Sequence, residues 1–185
     1  MRACYDSILL SRDKVGSGAA GIPSTDFFRE EYQMNYAIAQ SKAPQISIWE
    51  GIVMGGGVGV SVHGKYRIAT ETTLFAMPET AIGLFPDVGS TFWLPRLPGS
   101  LGLYLGLTGT RIHSSDLIYT GIATHYIKNS LLEDFERSLN SLSTSAVSRE
   151  GNGIVKDMLD DYQHKSGGAP DLEKSVLQKH ESIIK

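Results

Sequence analysis

The chain has 185 residues, 41% of them apolar and 20% charged, a balance that suits one folded domain with a sizeable core. A net charge of −3 without any basic run excludes a dedicated nucleic-acid binder, and no apolar run is long enough to cross a bilayer as a helix. The single cysteine, Cys4, excludes an internal disulfide framework and fits a reducing compartment, and the five histidines show no metal-ligand spacing.

Residues 1–25 read as irregular, because Gly16, Gly18, Gly21 and Pro23 break any regular element. The same stretch carries two acids and only a short apolar run at 8–10, which fits neither a transit peptide nor a signal peptide. Ser24 or Thr25 caps a helix with Asp26 in its first turn, running to about Ser41 before Pro44 forbids continuation. Its stripe of Phe28, Tyr32, Tyr36 and Ala39 has helical spacing and reads as core. Residues 45–53 alternate as one strand, with Ile46 and Ile48 against Ser47 and Trp49, and the following glycines end it. Residues 57–64 read as a small-residue helix packed close to a sheet. Strands follow at 66–70 and 74–77, and Pro78 opens a helical turn that carries Glu79.

Two helical pieces come next, about 90–94 and 100–107, the second closed by Gly109. Ser114 or Ser115 caps another short helix that Gly121 stops, and 123–127 reads as a strand. This alternation favours an α/β fold. From Asn129 the chain is polar, with apolar patches at Leu131, Phe135, Leu139 and Leu142 and at Met158, Leu159 and Tyr162. Those helices read as half-buried and in need of a further surface to cover them. The division is therefore an irregular segment at 1–25, a core at 26–128 and a helical region at 129–185.

The chemistry concentrates in residues 49–90, WEGIVMGGGVGVSVHGKYRIATETTLFAMPETAIGLFPDVGS. Consecutive Gly55, Gly56 and Gly57 let backbone N–H groups approach an acyl or phosphate oxygen with no Cβ in the way. Glu79 and Asp87 lie eight residues apart with a glycine and a proline between them, so both can converge on one bound group. Backbone donors facing a pair of acids suit acyl chemistry, with an oxyanion hole and a carboxylate base or nucleophile. Taken singly the residues have plainer readings. The glycines serve as a close helix–strand contact, Glu79 as a first-turn acid, Asp87 as a turn residue or N-cap, and Glu31 as part of a solvated helix face. His63 and His125 read as packed or surface histidines.

Six ordered blocks go further: FFREEY at 27–32, GIVMGGGVGVSVHG at 51–64, FAMPETAIGLFPDVG at 75–89, LPRLPG at 94–99, LGLTG at 105–109 and GIATHYI at 121–127. Together they resemble the crotonase (enoyl-CoA hydratase/isomerase) superfamily and, within it, the 3-hydroxyisobutyryl-CoA hydrolases. The resemblance implies a ββα spiral, truncated at the N-terminus, with a helical C-terminal part. It also implies hydrolysis of 3-hydroxyisobutyryl-CoA in valine catabolism, in the mitochondrion. CoA enters as part of the acyl-CoA substrate, no separate cofactor is expected, and neither nucleic acid nor membrane is an expected partner. Self-association is an expectation carried over from crotonase relatives.

The resemblance also distributes roles. Gly56 matches the glycine whose N–H forms half of the oxyanion hole. Glu79 matches the carboxylate that attacks the thioester carbonyl or activates water for it. Asp87 matches the acid that holds the substrate hydroxyl, and Glu31 a substrate-contacting acid. Hydratases carry a catalytic Glu two residues after the glycine triplet, where this chain has Gly59, and they usually have a small residue where it has Asp87. Thioester hydrolysis suits the residues present better than water addition does. Residues 1–25, including SGAAG at 17–21, do not resemble the loop that supplies the family's second oxyanion N–H. The family also continues past Lys185, so the chain looks like an internal piece of a hydrolase. A lost donor costs about 10²–10³ in rate. That leaves a catalytically impaired fragment, binding acyl-CoA or pairing with a full-length subunit, as the alternative reading.

Overall fold

The computed structural model describes residues 24–142 and 153–184. Most of the segment at 1–25, with its SGAAG loop and Cys4, lies outside the described residues. Helix α1 spans Ser24–Gln40. Strands β1 (Ile46–Trp49) and β2 (Ile52–Met54) follow, then a single helical turn α2 (Gly56–Gly59). Strands β3 (Tyr66–Ala69) and β4 (Leu74–Ala76) repeat the pattern. Both pairings are parallel: β1 lies beside β3 with Ile46 opposite Tyr66, and β2 beside β4 with Ile52 opposite Leu74. Strand β5 (His125–Tyr126) joins β3 on its other side. Each turn of the chain thus gives one strand to each of two small parallel sheets, a ββα spiral.

The single strand expected at 45–53 is two strands in different sheets. Gly51, at φ 79°, bends the chain between them, a conformation that a Cβ disfavours. The matching corner between β3 and β4 is tied to it by side chains. Thr70 donates its hydroxyl to the Trp49 carbonyl at 3.1 Å, and Gly51 N–H donates to Thr72 Oγ1 at 3.3 Å. The alternation expected of β1 is also different, because Ser47, Ile48 and Trp49 are all buried. Strands of a parallel sheet covered on both faces bury both side-chain sets. Trp49 enters a core with Val58, Phe75, Met77 and Leu117, whereas Ile48 enters a second core with Ile68, Phe135 and Leu159.

That second core corrects the reading of the C-terminal helices. Helices α6 (Asn129–Ser141) and α7 (Gly153–Lys165) cover their apolar faces on the three-stranded sheet, with Phe135 stacked edge-on against Tyr162 at 5.3 Å. They need no other subunit for that burial. The α1 stripe is corrected in the opposite sense. Phe28, Tyr32 and Tyr36 are 38%, 39% and 69% exposed, and among the described side chains of α1 the buried one is Asn35. The spacing gives a helix face but not what lies opposite it.

The remaining elements position the site. Glu79–Ile82 is a short 3₁₀ turn, stopped by Gly83 at φ 76°. Helix α3 (Ser90–Trp93) runs into a 3₁₀ turn at Leu94–Arg96, and α4 (Leu101–Thr108) ends at Gly109 as expected. Gly102 lies so close to the Leu94 carbonyl that a Cβ would sit 1.9 Å from its oxygen. Helix α5 (Ser114–Thr120) is capped by His113 and not by Ser114 or Ser115, which lie buried in its first turn. The chain ends in a 3₁₀ turn at Leu172–Lys174 and two short helices, α8 (Val176–Lys179) and α9 (Glu181–Ile184).

Candidate functional site

Glu79 sits on the 3₁₀ turn that follows β4, behind Pro78, and is 5% exposed. Its Oε2 has no hydrogen-bond partner among the described residues. Burial pushes its pKa up to about 7, the nearby Asp87 charge adds to that, and a hydrogen bond from its own backbone opposes it in part. A carboxyl poised there changes charge near neutral pH, as acid–base or nucleophilic chemistry needs.

Asp87 is carried by a tight turn. Its carbonyl accepts from Ser90 N–H at 2.8 Å, and the two residues between, Val88 and Gly89, have φ of 45° and 78°. A β-branched residue at positive φ is costly, and such strain persists only where the surroundings hold it. Val88 is buried, and its carbonyl accepts from His63 Nε2 at 2.8 Å, which fixes the proton on that nitrogen. Gly89 packs against the same ring, where a Cβ would fall 2.6 Å from His63. The Asp87 carboxylate is buried and accepts a hydrogen bond from Tyr32 Oη at 2.9 Å.

Helix α1 brings Glu31 beside these acids. Burial first, then the Asp87 charge, raises the Glu31 carboxyl above its ordinary range. Burial and Asp87 likewise push the Tyr32 phenol well up, so that it stays a donor. Three of the four residues singled out in sequence, Glu31, Glu79 and Asp87, therefore share one electrostatic neighbourhood. Gly56 opens α2, where the first N–H groups have no intrahelical partner. Gly55 before it adopts φ 51° and ψ −123°, a conformation open to glycine.

A cavity of about 760 Å³ adjoins Asp87, lined also by Tyr32, Asn35, Val88 and Trp93 among others. Glu79 and Gly56 are not part of its wall. Asn35 is buried, and among the described residues neither of its side-chain polar atoms has a partner, nor does Trp93 Nε1. Among the described residues no group of three or more His, Cys, Asp or Glu is placed to hold a metal ion, and no helix is long and apolar enough to cross a membrane.

The enoyl-CoA hydratase/isomerase family model matches residues 6–185. The chain belongs to that family. It is 55% identical over 170 residues to the mitochondrial 3-hydroxyisobutyryl-CoA hydrolase of Xenopus laevis, covering 92% of this chain and 42% of that protein. Against its Xenopus tropicalis counterpart it is 53% identical over 155 residues, covering 84% of this chain and 39% of that one. A carnitinyl-CoA dehydratase from Mycobacterium thermoresistibile superimposes with a TM-score of 0.70 at 37% identity, over 90% of this chain and 44% of that structure. The chain thus spans about two fifths of the length of these relatives, and its parallel ββα spiral is the crotonase fold.

Within this crotonase-family chain, position 59 has no room for an acid. A Cβ at Gly59 would lie 2.6 Å from Val88 Cβ and 3.0 Å from Asn35 Oδ1. Contacts that close force backbone or side chains to shift. Sequence reasoning missed Tyr32, Asn35 and His63 as neighbours of the acids. The signal available was α1 periodicity, which puts Tyr32 and Asn35 three residues apart on one face.

Proposed function

We propose that the chain carries a CoA-thioester hydrolase site whose substrate is 3-hydroxyisobutyryl-CoA, cleaved to 3-hydroxyisobutyrate and CoA in valine catabolism. The observation that carries this reading is Glu79, a buried carboxyl with one free oxygen and a pKa of about 7 beside a second acid. The names of the Xenopus relatives support the substrate and a mitochondrial location.

In this reading the thioester carbonyl oxygen accepts from the Gly56 N–H, and Asp87 accepts from the substrate hydroxyl. Ionised Glu79 then follows one of two routes. As nucleophile it attacks the carbonyl carbon, the carbonyl electron pair moves onto the oxygen held by Gly56, and collapse breaks the C–S bond. The CoA thiolate leaves, water cleaves the acyl–Glu79 anhydride to 3-hydroxyisobutyrate and ionised Glu79, and of the two protons that water releases one goes to the thiolate and one to solvent. As general base, Glu79 takes a proton from the water that attacks the same carbon, collapse of the adduct breaks the C–S bond, and Glu79 passes that proton to the leaving CoA thiolate. Both routes stabilise charge on the thioester oxygen, and neither uses an acid at position 59. Water addition to a double bond wants an acid and a base flanking that bond, and the packing of Gly59 against Val88 leaves no space for a second catalytic carboxylate at position 59.

The test is release of free CoA from 3-hydroxyisobutyryl-CoA by the purified 185-residue chain, with Glu79→Gln as control. Release that depends on Glu79 supports the hydrolase reading. A folded chain that binds the thioester without releasing CoA supports the impaired crotonase-like alternative instead.

A further inference from the structure

We propose that Tyr32 is a positioning residue that sets selectivity for a 3-hydroxyl group by holding one oxygen of Asp87 and leaving the other for the substrate. The inference rests on the hydrolase reading and deepens it. Tyr32 Oη donates to Asp87 Oδ2 at 2.9 Å across 55 residues of sequence. A carboxylate can accept at both oxygens, and a donor fixed on one of them sets the plane of the group and the direction of the other.

Two further observations point the same way. The backbone under Asp87 is held independently of Tyr32, by the Ser90 N–H on the Asp87 carbonyl and by His63 Nε2 on the Val88 carbonyl, each at 2.8 Å. Tyr32 is thus needed for the orientation of the carboxylate and not for the path of the chain. Tyr32 and Asp87 also line the same 760 Å³ cavity, so a group approaching from it meets the phenol and the carboxylate together. Tyr32 is 39% exposed, which leaves its ring little part in the core. Tyr32→Phe therefore removes the donor and keeps the fold.

The test uses two non-hydrolysable dethia-CoA ketones, one bearing the 3-hydroxyl of the isobutyryl group and one lacking it. Their affinities for the 185-residue chain are measured by titration calorimetry in the wild type, Tyr32→Phe, Asp87→Asn and the double variant. The expected result is a preference for the hydroxylated ketone that falls about tenfold in Tyr32→Phe, the size of one hydrogen bond to a charged group. Affinity for the plain ketone should fall less, and the double variant should lose no more selectivity than Asp87→Asn alone. A merely structural role would weaken both ketones equally, which would overturn the proposal. An undiminished preference in Tyr32→Phe overturns the Tyr32 role alone and leaves the hydrolase reading standing. A wild-type chain with no preference, or one that binds neither ketone, overturns the Asp87 reading and the Tyr32 role with it.

Discussion

Val88 occupies the space into which a side chain at position 59 would project, with Val88 Cβ only 2.6 Å from a Cβ built on Gly59. Val88 is also the one described non-glycine residue at positive φ, and its neighbour in the turn is Asp87. Position 59 therefore packs directly on the strained turn that carries Asp87.

Gly59→Ala should destabilise the fold by about 1–3 kcal/mol through overpacking. Val88→Gly relieves both the contact and the φ of 45°, so the double variant should lose less than the sum of the two single changes. Urea unfolding of the four proteins measures this, and strict additivity would show that the two positions do not meet. Gly59→Glu, by the same contact, should lower stability without creating hydratase activity.

Glu79 makes stability depend on pH. Its folded pKa of about 7 lies above the 4.5 of a free glutamate, so the folded state binds this proton more tightly than the unfolded one. Its contribution is fully present below pH 4.5, declines as pH rises towards 7 and is absent above that, a change on the order of 3 kcal/mol. Glu79→Gln should remove that slope, seen as the difference between the two proteins in urea melts at pH 5 and pH 8. Both hydrolytic routes start from the ionised form, so CoA release should rise with pH through about 7. A rate that falls over that range would place Glu79 as an acid instead.

Asp87→Asn should lower kcat/KM for 3-hydroxyacyl-CoAs about tenfold more than for plain acyl-CoAs, since the amide is a weaker acceptor for a hydroxyl than a carboxylate is. Equal losses on both substrates would sink the hydroxyl-holding role.

Asp116 on α5 is buried and accepts from Ser175 Oγ at 2.8 Å and from Leu177 N–H at 3.0 Å. It thereby pins the start of α8, whose Leu177 enters the first core. Asp116→Ala leaves those donors buried without a partner and should cost about 2–4 kcal/mol. Faster hydrogen exchange over residues 172–184 is the expected signature, and unchanged exchange there would mean that the core contact of Leu177 alone holds the segment.

The sequence by itself determined the features that live on one or two residues. Gly109 and Gly121 end their helices at φ 62° and 74°, and the glycine run ends β2, because such backbone is open to glycine and closed to most side chains. The alternation of strands and helices and the candidacy of Glu79 and Asp87 were legible for the same local reasons, whereas the ββα spiral was implied only by the resemblance of the six ordered blocks to the crotonase superfamily. What faces what was not legible. Tyr32 reaches Asp87 across 55 residues and Asp116 reaches Ser175 across 59. The α1 stripe of Phe28, Tyr32 and Tyr36 stands exposed while the helices after Asn129 find cover on the sheet. Helical and strand periods specify which side chains share a face. Burial, the raised pKa of Glu79 and the pairing of Tyr32 with Asp87 depend on which faces meet, and only the closed tertiary structure decides that.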